Sequence, residues 1–323
     1  MNDSVYLTRK LPQTIVDFLS RHYNVRTYPK EETAVPYYQL IEDVKGTSAI
    51  LSLLTDKIDD TVMDAAGPSL SIIANMAVGY DNIDLQAAKE RSIVVTTTPD
   101  ILTETTADLG FALLLAAARR IPQAERVLRE GRWQTWSPMF LTGQEVYGKT
   151  IGIIGLGRIG EAVARRAKGF GMRLLYHNRS RKIAAERSLG AEYTDLMTLM
   201  SESDYVVVLV PLTNETKGLI GKKQINAMKA NAVFVNIARG DVVDETALYE
   251  ALSENKIWGA GLDVFTDEPI STQHPFLTLD NVVLVPHIGS AGIETRMKMA
   301  MLAAQNIHAV LSGKPPLTPL QLS

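Results

Sequence analysis

The 323-residue sequence contains no cysteine, which excludes disulfides, thiolate zinc sites and cysteine nucleophiles. It also lacks any apolar run approaching the roughly 20 residues needed to span a bilayer. Its first stretch, MNDSVYLTRKLPQTIVDF, has no uninterrupted apolar core of the signal-peptide kind, so a cytoplasmic protein is expected. A marked excess of either charge is missing as well. The 33 Lys+Arg against 36 Asp+Glu leave a formal charge of −3, which gives no electrostatic reason to expect nucleic acid or a membrane surface as partner. Low-complexity segments and short-period repeats are missing too. What remains is ordinary globular composition, 46% hydrophobic and 21% charged, in a chain long enough for two domains with separate cores. No metal site is expected.

One stretch organises the rest: TIGIIGLGRIGEAVARRAKGFGMRLLYHNRSRK, residues 150–182. An apolar run at 151–154 enters Gly155-Leu156-Gly157-Arg158-Ile159-Gly160, a helical pattern follows, and a second apolar run ends at His177-Asn178. A bare GxGxxG says little, because glycine turns also arise for conformational reasons alone. Flanked by a strand and a helix it reads as a dinucleotide site. Gly155 permits the tight turn, Gly157 lets the backbone approach a pyrophosphate, and Gly160 lets the helix pack on the strand. The phosphates would lie at the helix N-terminus near Arg158 and Ile159, where N–H groups and the dipole favour negative charge.

Residues 1 to about 98 alternate short apolar runs with helical patterns. Strands are expected at 5–7, 25–28, 49–54, 70–77 and 93–96, and helices from Pro12 to Leu19 and at 38–44, 58–65 and 84–90. Such regular alternation argues for a parallel sheet covered on both faces. Thr98-Pro99-Asp100 breaks the pattern and reads as a crossover between domains. Residues 101–120 are apolar nearly all round, which marks a helix buried on most sides, and Pro122 starts another. The loop GRWQTWSPMF, 131–140, is apolar enough to cover something, either a subunit partner or this chain's own core.

Six further strands are expected at 151–154, 172–176, 205–210, 232–237, 260–264 and 282–285. The segment from Gly289 carries a helix at 295–311 and a Pro-rich tail. Periodicity leaves open whether it packs on the second domain or returns to the first. In an open parallel sheet, ligands bind beyond the carboxyl ends of the strands. Those ends carry Arg239, Glu268 and His287. Each has a plainer reading: a turn with a surface ion pair, a solvated loop before a proline, a histidine capping a strand. Three such residues after consecutive strands of a dinucleotide fold point instead to chemistry. Hydride transfer to a ketone builds an alkoxide that must receive a proton, and a histidine suits that task. A carboxylate beside it favours imidazolium and orients the ring. An arginine can hold a 2-oxo acid and polarise its carbonyl. We therefore expect His287 as acid–base, Glu268 as its partner and Arg239 as substrate clamp.

At these residues the chain resembles the D-isomer-specific 2-hydroxyacid dehydrogenases, and within them the glyoxylate/hydroxypyruvate reductase and 2-ketogluconate reductase branch. The similarity is carried by NMAVGYDNID (75–84), GKTIGIIGLGRIG (148–160), VPLTNET (210–216), FVNIARGDVVDE (234–245), GAGLDVFTDEP (259–269) and VPHIGSA (285–291). It implies an α/β protein of two Rossmann-like doubly wound parallel-sheet domains. One is a flavodoxin-like substrate-binding domain, 1–99 and 288–323; the other is an NAD(P)-binding Rossmann domain, 100–287. It further implies a cleft between them, hinged near Pro99 and Pro286. The resemblance gives Arg239, Glu268 and His287 the roles argued above, and gives the backbone of Val78 and Gly79 the substrate carboxylate. Asp263 and the Ala238 carbonyl are implied to face the nicotinamide carboxamide, and Pro211 and Thr216 to contact the cofactor. Leu53, Trp136, Met139 and Phe140 would form the pocket lip. The 101–148 region is implied to make a homodimer interface across which Trp136 reaches the partner's active site. Ser290 and Arg296 are implied as further site residues.

Two branches of the family fit poorly. Formate-oxidising relatives carry an amide where this chain has Glu268, and phosphoglycerate dehydrogenases often carry a regulatory domain for which this sequence is too short. Cofactor choice is also legible. NAD sites usually place an acid at the second strand's end, whereas an arginine accommodates the 2′-phosphate of NADP. Here His177-Asn178-Arg179-Ser180 stands at that end, so NADP(H) is expected with NAD(H) possible, bound through Asn178, Arg179 and Ser180. The expected activity is NADPH-dependent reduction of glyoxylate or hydroxypyruvate, with 2-ketogluconate as the alternative substrate. A non-catalytic, corepressor-like nucleotide sensor is the rival of another class, and the intact Arg239, Glu268 and His287 speak against it.

Overall fold

The computed structural model describes residues 3–321. The chain forms two compact units, 1–102 with 291–323, and 103–290. The first begins with β1 (Ser4–Leu7), α1 (Gln13–Ser20), β2 (Asn24–Thr27), α2 (Tyr37–Asp43), β3 (Ala49–Ser52), α3 (Asp60–Ala66), β4 (Ile72–Asn75), α4 (Leu85–Glu90) and β5 (Val94–Thr96). All its strands run parallel in the order β2-β1-β3-β4-β5. The inner strands β1, β3 and β4 are short and buried on both faces because helices cover both, whereas the edge strand β2 is only partly buried. Ile50 packs with Tyr6 and Ile73 on one face, while Ala49 and Leu51 pack with Val5, Leu7 and Ile72 on the other. Burying one such side chain contributes about 1.5–3 kcal/mol.

The second unit holds α5 (Thr103–Ala118), α6 (Ile121–Arg129), β6 (Thr150–Ile154), α7 (Arg158–Gly169), β7 (Arg173–His177), α8 (Ile183–Leu189), β8 (Glu192–Tyr193), α9 (Leu196–Glu202), β9 (Tyr205–Val208), α10 (Lys222–Asn226), β10 (Val233–Asn236), α11 (Glu245–Ser253), β11 (Gly259–Leu262) and β12 (Val282–Leu284). Its seven strands are parallel in the order β12-β11-β10-β9-β6-β7-β8. The order reverses beside β6, and ligands of open sheets bind at such a switch point. Helix α5 lies on one face of this sheet. Gly261 of β11 makes room for it: a Cβ there would come within 2.8 Å of the Leu113 Cβ. Glu104 and Asp108 of α5 pair with Arg166 of α7, fastening the two helices at the surface.

The last helix, α12 (Ile293–Leu311), belongs to the first unit, which settles the alternative left by periodicity. Its Ala300, Ala303, Ala304 and Ile307 pack with Val5, Ile15, Leu19 and Ile72, the i, i+3, i+4, i+7 face of an amphipathic helix. Asn306, fully buried, then ties down the tail by accepting from the amides of Leu317 and Thr318. Among the described residues no helix is long and apolar enough to cross a membrane.

Candidate active site

The glycine turn lies at the C-terminal end of β6. Gly155 takes φ +103°, and a Cβ on it would come within 2.8 Å of the Leu209–Val210 backbone. A Cβ on Gly160 would come within 2.4 Å of the Gly155 carbonyl oxygen, so helix and turn touch there. Gly157 differs: its missing Cβ faces open space, and it caps α7 with no side chain on the helix N-terminus. That leaves an uncovered backbone cradle with the dipole's positive end exposed, which fits a pyrophosphate. Ile159 is half-buried behind the turn and Arg158 is exposed beside it.

Asn178 closes the turn from the end of β7. Its Oδ1 accepts from the Leu156 amide at 2.6 Å and its Nδ2 donates to the Leu156 carbonyl at 3.4 Å. Arg179 and Ser180 follow, exposed. The charge of Arg179 reaches Glu215, whose carboxyl is held below its ordinary value by the Thr213 hydroxyl first and by Arg179 in lesser part. Arg181, the next base, is engaged elsewhere: it grips Glu186 at 2.7 Å and lies over the Tyr193 ring. After β9, Thr216 locks the following turn by donating to the Pro211 carbonyl at 2.6 Å and accepting from the Thr213 amide at 2.8 Å.

The structure brings the three chemical residues of the second sheet together. His287 Nδ1 lies 2.6 Å from Glu268 Oε2, with side chains 23% and 25% exposed. Glu268 Oε1 accepts from the Phe265 amide at 2.9 Å, so the carboxylate is fixed at both oxygens. Burial pushes the Glu268 carboxyl up. The hydrogen bond and charge of His287, the Phe265 amide and the Arg239 guanidinium outweigh it and hold the carboxyl below its ordinary value. Arg239 thus acts on the same carboxylate as His287. The imidazole Nε2 is the ring nitrogen left for chemistry.

Three buried devices hold these side chains. Asn236, 2% exposed at the end of β10, accepts from the Ala238 amide and donates to the Arg239 carbonyl, each at 3.0 Å, which folds the chain so that Arg239 projects. The Arg239 Nη1 donates to the Ala238 carbonyl at 2.8 Å. Gly240 then presses on the Phe265–Thr266 peptide: a Cβ there would fall 1.9 Å from the Phe265 carbonyl carbon. Asp263, 2% exposed after β11, accepts from the Ile288 amide at 2.5 Å and the Gly289 amide at 2.9 Å. Burial pushes its carboxyl up to about 6, against those amides and the charge of His287. This carboxylate sets the turn in which His287 takes φ +51°, a left-handed conformation that a non-glycine residue adopts only when its surroundings impose it.

Gly240 therefore gives a test. Gly240→Ala must displace the Phe265–Thr266 peptide, whose N–H donates to Glu245, and with it the adjoining Phe265 N–H that donates to Glu268. We expect a loss of about 1–3 kcal/mol in stability and a fall in kcat of about a hundredfold from misplaced groups, read by thermal unfolding and steady-state rates.

The remaining expected residues lie elsewhere in the chain. Leu53 and Gly79 are half-buried and Val78 is 38% exposed, on loops after β3 and β4 of the first unit. In the 131–140 loop Trp133, Trp136, Met139 and Phe140 are 55%, 75%, 76% and 46% exposed, so neither tryptophan fills this chain's own core. Ser290 closes the second unit, and Arg296 is exposed on α12 in the first.

A parallel sheet with an open glycine cradle at its switch point and a histidine–carboxylate pair at its rim defines a nicotinamide-dependent oxidoreductase. Residues 111–289 match the family model "D-isomer specific 2-hydroxyacid dehydrogenase, NAD binding domain". The glyoxylate reductase of Korarchaeum cryptofilum is 51% identical over 98% of this chain and 95% of its own. A crystal structure of a protein from Thermus thermophilus superposes with a TM-score of 0.92 at 44% identity, covering 98% of this chain and all of that one. The NADPH-dependent glyoxylate/hydroxypyruvate reductase of Sinorhizobium meliloti, solved with NADP and malonate, gives a TM-score of 0.87 at 36% identity, covering all of this chain and 98% of that one. The chain belongs to the D-isomer-specific 2-hydroxyacid dehydrogenase family and is an NAD(P)-dependent oxidoreductase.

Proposed function

We propose that the protein reduces small 2-oxo acids with NADPH, glyoxylate to glycolate and hydroxypyruvate to D-glycerate. The observation that carries this reading is the 2.6 Å pair of His287 Nδ1 and Glu268 Oε2 beyond the strand ends of a dinucleotide sheet. The name of the Korarchaeum relative supports glyoxylate, and that of the Sinorhizobium protein supports glyoxylate and hydroxypyruvate. In this reading 103–290 is the NAD(P)-binding domain, and 1–102 with 291–323 is the substrate-binding domain.

A nicotinamide dinucleotide held at the Gly155–Gly160 turn would supply the hydride. His287 delivers a proton from Nε2 to the substrate oxygen, while Nδ1 stays bonded to Glu268. The glutamate, its carboxyl held below the ordinary value, fixes the ring orientation through Nδ1 and turns Nε2 to the substrate. Arg239 holds the substrate carboxylate and polarises its carbonyl; in the first unit the amides of Val78 and Gly79 are proposed as donors to a carboxylate. Leu53 and Trp136 belong to the pocket lip. Carbonyl and carboxylate oxygens have more than one lone pair, so Ala238 and Asp263 each retain acceptor capacity for a carboxamide. The exposed aromatic loop 131–140 supports a homodimer buried through that face.

The NADPH preference rests on Asn178, Arg179 and Ser180. The acid that would bond the ribose 2′-hydroxyl is replaced by an amide spent on the glycine turn. Arg179 and Ser180 are exposed beside it. Arg179→Ala is expected to raise KM for NADPH about 10- to 100-fold, the worth of a charged hydrogen bond, with a smaller change for NADH. Equal effects on the two cofactors would remove Arg179 from the 2′-phosphate site.

The activity itself is tested by following NADPH and NADH absorbance against glyoxylate, hydroxypyruvate, 2-ketogluconate, pyruvate and phosphohydroxypyruvate. Turnover of the first two with NADPH is expected. Tight cofactor binding with no turnover on any of the five would indicate a nucleotide sensor instead.

A further inference from the structure

The first unit contains a closed polar network that the mechanism above does not use. Ser52 and Asn75 end neighbouring strands β3 and β4 in direct register, both fully buried. The Ser52 hydroxyl donates to Asn75 Oδ1 at 3.0 Å. Asn75 Nδ2 donates to the Gly79 carbonyl at 3.0 Å and to Asn82 Oδ1 at 3.1 Å. Asn82 Nδ2 in turn donates to the carbonyls of Leu53 at 3.0 Å and Asp56 at 2.9 Å. Asp56, 3% exposed, completes the ring by accepting from the Leu53 amide at 2.7 Å and the Thr8 hydroxyl at 2.5 Å.

The effect on the two loops is specific. Leu53 is held by its N–H from Asp56 and by its C=O from Asn82. The 76–80 loop is held at Gly79 by its carbonyl, and at its start by Met76 and Ala77 amides bonded to Ser52 and Asn75. The amides of Val78 and Gly79 donate to no acceptor among the described residues. The Gly79 carbonyl fixes the Gly79–Tyr80 peptide, and the Ala77 carbonyl, which accepts from the Thr98 amide at 2.8 Å, fixes the peptide that carries the Val78 N–H, so the short stretch between them is held at both ends. Both asparagine amides are satisfied at oxygen and nitrogen, and satisfied networks rigidify what they touch; Asp56 keeps one carboxylate oxygen without a hydrogen bond, facing Arg9 at 3.8 Å.

We infer that Asn75 and Asn82 are positioning residues that pre-set the Val78 and Gly79 amides for the substrate carboxylate and hold Leu53 beside them. This rests on the reading of Val78–Gly79 as the carboxylate site. The network touches no reacting atom. Its loss should weaken substrate affinity and leave both the proton-transfer residues and the glycine cradle, which belong to the other unit, unaffected.

The test uses the full-length protein and compares Asn75→Ala and Asn82→Ala with Asn306→Ala. Asn306 is an equally buried asparagine of the same unit that ties down the C-terminal tail. For the first two, KM for glyoxylate should rise about tenfold or more, with kcat nearly retained and NADPH affinity unchanged. Asn306→Ala should lower the melting temperature without raising KM. Should Asn82→Ala fail to fold, Asn82→Asp keeps the volume and removes the same two donors. Unchanged KM in the Asn75 and Asn82 variants, or an equal rise in Asn306→Ala, would overturn the inference. Calorimetric binding of oxamate to the NADPH complex separates it from the reductase reading. A wild type that binds oxamate without reducing glyoxylate sinks the reductase reading alone, and weaker oxamate binding by the two variants then still supports the positioning role. A wild type that binds no oxamate overturns both.

Discussion

Replacing His287 with alanine is expected to lower kcat for glyoxylate by about 10²–10⁴-fold, the usual worth of a positioned general acid. NADPH affinity should be unchanged, because the glycine cradle is at the end of β6 and owes nothing to the imidazole. The expectation rests on geometry. The ring is held at Nδ1 by a carboxylate that is itself fixed by the Phe265 amide, and the backbone is set by Asp263. A structural loss of similar size would show as a lower melting temperature. His287 is a surface turn residue with a 23% exposed side chain, so its removal opens no core cavity. Rates close to wild type would remove it from the mechanism.

Arg239 should matter as much, in a different way. A clamp on the substrate carboxylate acts in both ground and transition states, so Arg239→Ala should raise KM and lower kcat together. Polarising the carbonyl alone accounts for roughly 10²–10³-fold in kcat. Arg239→Lys should recover only part of this, because an ammonium keeps the charge and loses the planar fork that matches a carboxylate. Full activity in the lysine variant would show that charge alone suffices. Glu268 supplies an internal check, since the guanidinium helps hold its carboxyl low. The alanine variant should therefore protonate Glu268 at a higher pH, and its rate should fall earlier as the solution is acidified.

Much of this was readable from the residues. Strands buried on both faces leave continuous apolar runs, so YVVV, VFVN and TIGII announce themselves. The three chemical residues were found because strand ends in an open sheet are where ligands go. Strand β8 went unread: two exposed residues at a sheet edge carry no alternation to detect. Helix α3 starts at Asp60 rather than Ile58 because Asp59 caps it, accepting from the Val62 amide, and a cap outranks the apolar pattern. The aromatic loop was ambiguous for a physical reason, since tryptophan suits a core and an interface equally.

The asparagines show a subtler gap. Asn75 and Asn236 each end a buried run, IIAN and VFVN, and each folds back to the carbonyl of a nearby loop residue, Gly79 in one unit and Arg239 in the other. A buried amide finishing an apolar strand is a signal, because it must find partners. Which partners it finds depends on loop geometry, which composition and periodicity do not encode. Gly240 was similarly visible as a turn residue. Its close approach to the Phe265–Thr266 peptide joins segments distant in sequence and needed coordinates to see.

The central claim is that His287 and Glu268 form one proton-delivering unit. A double-mutant cycle on kcat for glyoxylate, with His287→Ala, Glu268→Gln and the two combined, addresses it most directly. Residues acting as a unit are strongly non-additive, so the double variant should be no slower than His287→Ala alone. Losses that multiply, with the double variant slower by the product of the two single effects, would mean that the carboxylate and the imidazole work independently and would contradict the account.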